Sequence, residues 1–399
     1  MSGCQVLGSR KQHYAISYPA IFCALLAVTS AGFAQAPATA AAARARFDPN
    51  SPAQGGRTAL YKYLDDIAAQ DEAARRDEMA KITTRAQAIL RQQKVRNTLL
   101  GLMGGGFERT PLNGKVLGST QMDGFRIEKV VYESQPGFYV TALLYLPDAK
   151  SGGTSPPKQS LDGAPGSLAA PGSLAAPGSG VGGKLPAIVV APGHGANGKA
   201  SDFAMASVFA RNGFAVLSYD PIGQGERLQY APQRASSPET SIGDLARPEK
   251  SLATSSTGEH GEAGLQPTLI GDAVARYFVW DGMRAVDYLL TRPEIDAERI
   301  GAFGCSGGGV MTAMLGAADK RVKAIATACY LTTMDTLLPS LGPQDAEQST
   351  PGFIAAGFDF ADWVELAAPR PYAMIGTVGD MFPWAGFLAT AQEARRFYA

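Results

Sequence analysis

Histidine is scarce in this chain. There are three in 399 residues, His13, His194 and His260. The four cysteines are Cys4, Cys23, Cys305 and Cys329, and together with the histidines they form no cluster at metal-ligand spacing, so the sequence calls for no metal. An excess of either charge is missing too. The 36 basic and 36 acidic side chains cancel, so no global field draws the chain to nucleic acid or to an anionic membrane. Glycine is plentiful at 46 residues, yet no Gly-rich loop ends in the Lys-Ser/Thr pair of a phosphate cradle. No cofactor is indicated. What is present is apolar material, 45% of the chain against 18% charged, enough to bury a sizeable core in one large α/β domain or two modest ones.

The one long apolar run lies at the start. Arg10 and Lys11 precede a stretch from about Ala15 to Phe33, and Ala34-Gln35-Ala36 supplies small residues at the spacing a signal peptidase reads, with Ala34 an alternative cut because Pro37 follows. Residues 1–36 are therefore expected to be a signal peptide. An uncleaved anchor is the competing reading, since the run approaches spanning length. Export, to the periplasm or outside, follows from both, and after cleavage no stable span remains. Residues 37–56, rich in Ala, Arg and Pro, read as a disordered tether.

From Leu60 the rhythm becomes helical. Leu60, Tyr63, Leu64 and Ile67, then Met79, Ile82, Ala86, Ile89 and Leu90, recur at one-turn spacing, which predicts a helical arm over 57–106 ended by Gly104-Gly105-Gly106 and packed on the following domain. Strand signals begin at Phe125. Residues 125–130 alternate, Gly137 follows, and 138–146 form a second strand of a hairpin. Residues 150–184 interrupt this pattern with repeated APGSLA, whose small side chains cannot offset the entropy of ordering; they read as a surface insertion between strands.

Beyond it, near-continuous apolar strands alternate with helices. Strands are expected at 185–191, 214–219, 300–305, 322–330 and 371–377, and helices at 201–211, 270–290, 308–317 and 384–398. That alternation predicts an α/β fold over 107–399, a mostly parallel sheet with helices on both faces and an antiparallel hairpin at one edge.

Three motifs carry chemistry. Gly304-Cys305-Ser306-Gly307-Gly308 sits between a predicted strand and a predicted helix, the setting in which a sharp turn forces a serine hydroxyl above the sheet as a nucleophile. A serine that merely caps the helix is the plainer reading, but a cap needs neither the strand nor the second glycine. Second, Pro192-Gly193-His194-Gly195-Ala196-Asn197 follows an apolar strand, where backbone N–H groups of Gly195 and Ala196 can join that of Gly307 to hold a developing oxyanion. His194 is read as a structural member of that loop rather than as a base. Third, Asp380 follows a strand end on the same rim and can orient an imidazole, or can simply form a turn before Phe382-Pro383. Asp345, Glu347, Asp359 and Asp362 are weaker acid candidates. For a base only His260, on a loop of unknown position ahead of the nucleophile, is a weak candidate. Cys305 and Cys329 each lie at the end of a predicted strand; if those strands are neighbours a disulfide is geometrically conceivable, and two small buried thiols are the plainer, preferred reading.

Several stretches, ERTPLNG from Glu108, SQPGFYVTALLYLPD from Ser134, PGHGANGK from Pro192, YDPIGQGER from Tyr219, ARYFVWDGMRAVDYL from Ala275 and GPQDAEQ from Gly342, resemble the bacterial acetylxylan-esterase-related branch of the α/β-hydrolases, secreted relatives of dienelactone hydrolase. The resemblance implies an α/β-hydrolase fold and a serine esterase acting on acetylated plant polysaccharide or a similar ester. It implies Ser306 as nucleophile and Asp380 as acid. The family's catalytic histidine follows one further strand; here the sequence ends at ARRFYA, so a C-terminal truncation and impaired turnover are expected. Glucuronoyl esterases share the cysteine before the serine but carry Arg where Gly307 stands. A non-catalytic carbohydrate-binding relative is the reading from another class.

Overall fold

The computed structural model describes residues 52–148, 183–230 and 255–399, with side chains from Ala59 onward. The expected signal peptide, nearly all of the tether and nearly all of the 150–184 insertion lie outside the described residues. Tyr63–Ala399 form one unit. No helix among the described residues is long and apolar enough to cross a membrane.

The helical region is two helices, α1 (Pro52–Ala80) and α2 (Arg85–Leu102), not one. Thr84 breaks the run and caps α2, with its side chain accepting from the Gln87 N–H while the Gln87 side chain returns to the Thr84 N–H. Gly104 and Gly105, at φ 87° and 80°, then turn the chain away. The apolar stripe read from the sequence is buried only in part: Met79 is covered, whereas Tyr63, Leu64 and Ile67 stay exposed, and on α2 Val95 and Leu99 join the core. Docking also uses the buried Arg75, whose guanidinium donates to Asp362 at 2.9 Å and to Glu393 at 2.6 Å; Arg91 reaches the other oxygen of Asp362 at 2.6 Å.

Eight strands follow: β1 (Lys115–Met122), β2 (Phe125–Gln135), β3 (Phe138–Pro147), β4 (Leu185–Ala191), β5 (Ala215–Tyr219), β6 (Ile295–Cys305), β7 (Ala324–Ala328) and β8 (Tyr372–Ile375). They form one sheet in the order β1-β2-β3-β5-β4-β6-β7-β8. The pairings from β1 to β5 are antiparallel and those from β5 through β4 to β8 are parallel, which is the mixed sheet expected. β1 was not expected. Its residues are almost all exposed at the sheet edge, and a strand with no covered face shows no alternation.

The intervening helices are α3 (Phe203–Arg211), α4 (Ser256–Leu269), α5 (Val274–Leu290), α6 (Gly307–Ala318), α7 (Met334–Ser340), α8 (Phe360–Ala367) and α9 (Trp384–Tyr398). Successive side chains of β4 show why the sheet needs cover on both sides. Val189 packs with Phe278, Val286 and Leu289 of α5, whereas Val190 packs with Ala206 and Ala210 of α3 on the other face. Each such fully buried aliphatic side chain contributes about 1.5–3 kcal/mol. α4 is a second addition, since this stretch reads as a loop in the sequence; the Ser255 hydroxyl caps it by accepting from the Gly258 N–H.

Candidate active site

β4 and β5 lie on one side of the point where the chain reverses direction across the sheet, and β6 begins the other side. Ligand sites in open α/β sheets gather at the carboxyl ends of strands at such a point. Ala191, at the end of β4, is in register with Gly304 of β6, so the Gly-rich loop after β4 and the turn after β6 emerge side by side.

That turn is strained. Ser306 has φ 58° and ψ −124°, a region L-residues avoid. It is held there because its N–H donates to the Ala328 carbonyl at 2.9 Å while its own carbonyl accepts from Val310 and starts α6. The following glycines are required by contact. A Cβ on Gly307 would stand 2.7 Å from the His194 ring, and one on Gly308 would collide with the Ala191 carbonyl. As the first residue of α6, Gly307 has an N–H that the helix cannot satisfy, at the end where the helix dipole favours negative charge.

The loop after β4 is held from behind. Gln224 Nε2 donates to the carbonyls of Gly193 at 2.9 Å and Gly195 at 3.2 Å. In a trans peptide the N–H points opposite its carbonyl, so the N–H groups of His194 and Ala196 face away from Gln224. Gln224 belongs to the turn DPIGQGER from Asp220. The fully buried Asp220 fixes that turn by accepting from Thr141 Oγ1 at 2.6 Å, from the Lys199 N–H at 2.8 Å and from the Lys199 ammonium. Sequence reasoning assigned this turn no role; the signal was an Asp-Pro and paired glycines directly after a strand.

His194 lies against Gly307, and its Nε2 is 2.8 Å from Glu347 Oε1 and 3.3 Å from Asp345 Oδ2. His260, on helix α4 rather than a loop, is fully buried behind it. Its Nε2 donates to the Ile222 carbonyl at 2.8 Å and its Nδ1 is 3.1 Å from Glu347 Oε2. Burial works against charge on all these groups. For His194, hydrogen bonding and charge from Glu347, with Asp345 adding, outweigh it and raise the imidazole. For Glu347 the two imidazoles outweigh it and hold the carboxyl at about 2. Asp345 is raised by burial and by the charge of Glu347. Among the described residues no imidazole hydrogen-bonds to the Ser306 hydroxyl.

Asp380 lies beyond the end of β8, on the rim where β6 and β7 also end. It accepts from Thr377 Oγ1 at 3.3 Å and from the Phe382 N–H at 3.4 Å. Asp359 and Asp362 are drawn elsewhere: both belong to the cap of α8, and Asp362 pairs with Arg75 of α1 and Arg91 of α2. Cys305 and Cys329 are free thiols, and burial and their mutual hydrogen bond push Cys305 up to about 12. An apolar cavity of about 310 Å³ between α1 and residues 334–355 is lined by none of the proposed catalytic residues.

Strand order, a site at the reversal point and a strained serine turn define an α/β-hydrolase fold. Comparison with known proteins agrees. A profile of the prolyl oligopeptidase family matches residues 273–341, the stretch that includes β6, the turn and α6. YtaP of Bacillus subtilis (strain 168), which bears the name of a hydrolase, is 27% identical over 138 residues, 33% of this chain and 44% of that protein. The match thus spans less than half of that relative's length. Among solved structures, a Bacteroides fragilis NCTC 9343 protein named as an acetyl xylan esterase superposes with a TM-score of 0.57 at 16% identity, covering 79% of this chain and 73% of its own. Methylesterase BT1017 gives 0.54 at 22% identity, with 83% and 60% covered. The resemblance to acetylxylan-esterase-related α/β-hydrolases is met at the level of the fold.

Proposed function

We propose that the protein is an exported serine-type carboxylic-ester hydrolase, with acetyl groups on plant polysaccharide as the substrate class. The observation that carries this reading is Ser306, kept at a disallowed backbone conformation between β6 and α6 with an orphan helix N–H beside it. In the reaction, Ser306 Oγ attacks the ester carbonyl carbon as its proton passes to solvent water, and the carbonyl electron pair moves onto oxygen. The N–H groups of Gly307 and of the Gly195–Ala196 peptide receive that oxyanion. Collapse expels the alcohol, which takes up a proton from water, and a second water attacks the acyl-serine to release the acid and return the proton to Ser306 Oγ. Asp380 is the acid for orienting an imidazolium on the same rim, and among the described residues neither His194 nor His260 is bonded to it. His260, buried and bonded to Ile222, is a poor base for Ser306, and His194 is committed to Glu347 through Nε2. With no imidazole bonded to the hydroxyl, this chain retains the oxyanion-hole and binding contributions, worth about 10³–10⁴ over water.

The test is hydrolysis of 4-nitrophenyl acetate and acetate release from acetylated xylan by the purified chain. Slow hydrolysis that disappears in Ser306→Ala supports the reading. Turnover at the rate of a complete triad enzyme would overturn its account of the base, and turnover surviving in Ser306→Ala would overturn the nucleophile.

A further inference from the structure

Behind the serine turn, four side chains from three separate stretches converge: His194 after β4, His260 on α4, and Asp345 and Glu347 after α7. One ligating atom from each lies within 4.8 Å of the others. We propose that this cluster binds a divalent transition-metal ion, zinc foremost, which fastens the oxyanion loop to the segment after α7.

The argument begins with a tautomer. A backbone carbonyl only accepts, so the 2.8 Å contact with Ile222 puts the His260 proton on Nε2 and leaves Nδ1 a lone pair in the neutral ring. That lone pair faces Glu347 Oε2 at 3.1 Å, and neither atom has a hydrogen bond of sound geometry. Both side chains are buried, His260 at 0% and Glu347 at 1% exposure. With the ring neutral these are two acceptors face to face, and the pair needs a positive species: a proton on Nδ1, giving an imidazolium–carboxylate ion pair, or a metal ion in its place. A histidine whose one nitrogen donates to a carbonyl while the other points at carboxylates has the arrangement typical of a metal ligand. Asp345 shows the corresponding outer contact, since its Oδ2 also receives Gln348 Nε2 at 3.3 Å.

Spacing and charge agree. A tetrahedral ion with bonds of about 2.1 Å sets its donors roughly 3.4 Å apart. The closest pairs here are 2.8, 3.1 and 3.3 Å apart and the four donors lie within 4.8 Å of one another, so seating the ion opens the close pairs by a few tenths of an ångström and draws the wider ones in. Two carboxylates and two neutral imidazoles exactly offset a double positive charge in a site with little water. Two nitrogens among four donors disfavour calcium and magnesium, which take oxygen, and suit zinc or its neighbours. Sequence spacing hid this set because its members are spread from position 194 to 347.

The site does not depend on ester hydrolysis, so the test uses the Ser306→Ala protein. After chelator treatment and dialysis against zinc chloride, it should retain a single equivalent of zinc by mass spectrometry of the metal. It should melt at a higher temperature than the stripped protein and release protons on binding. Asp345→Asn, at the accessible side of the cluster, should fold and bind zinc at least about tenfold more weakly. Glu347→Gln should lose the zinc; if that buried change prevents folding, Asp345→Asn decides. Failure to retain stoichiometric zinc, or undiminished affinity in Asp345→Asn, overturns the proposal.

Discussion

Replacing Ser306 by glycine should make the protein more stable while removing its proposed nucleophile. At φ 58° and ψ −124° a residue with a Cβ is strained by about 1–3 kcal/mol, and glycine occupies the same region freely. Against this, glycine adds about 0.5–1 kcal/mol of unfolded-state entropy. The hydroxyl makes no hydrogen bond among the described residues, so its loss should cost little. The net expectation is a gain of about 1 kcal/mol. For a domain of this size that is a rise in Tm of about 2 °C. Ser306→Ala supplies the control, because it keeps the Cβ and therefore the strain, and should lie within about 0.5 kcal/mol of the parent. Denaturant titrations of the three proteins side by side separate these outcomes. If the glycine variant is no more stable than the alanine variant, the strain is not stored at this residue and the elbow reasoning fails.

Other consequences follow from the same contacts. Gly307→Ala should destabilise by about 1–3 kcal/mol and lose ester hydrolysis, since its methyl would meet the His194 ring at 2.7 Å; denaturation and 4-nitrophenyl acetate assays check both. Asp362→Ala should cost about 1–3 kcal/mol in chemical denaturation, because the buried Arg75 then keeps only Glu393 and Arg91 loses its carboxylate. Burial raises Asp359 to about 7 against 3.8 unfolded, so the folded state binds the extra proton. That contribution is fully present below pH 3.8 and is lost as pH rises through about 7, so Asp359→Asn should reduce the fall in stability across this window. Cys305, pushed up to about 12, should resist iodoacetamide in the folded protein at pH 8 and react after unfolding, as read by peptide mass mapping.

The legible parts of this protein are those where chemistry or burial acts over a short stretch. β4 and β5 are covered on both faces and so are almost wholly apolar, and the serine turn needs its glycines next to Ser306, where any reader meets them. β1 was illegible because Gly118, Ser119, Thr120 and Gln121 sit on an exposed edge and are specified by their partners on β2. α4 hid for a different reason. Its helix buries Glu259 and His260 rather than an apolar stripe, and carries Gly261, Gly264 and Pro267, residues that suggest a loop. The docking of α1 was only partly legible because, beside Met79, burial there includes Arg75, whose partners Asp362 and Glu393 lie hundreds of positions away. The cluster of His194, His260, Asp345 and Glu347 exists only once β4, α4 and the segment after α7 are folded together.

The most direct test of the central claim is covalent. Prolonged incubation with a fluorophosphonate, followed by peptide mass mapping, should find the adduct forming slowly on Ser306, in keeping with its missing base, with none in Ser306→Ala. Ester hydrolysis should fall in step with labelling. Labelling confined to another residue, or hydrolysis that continues after Ser306 is blocked, would contradict the account.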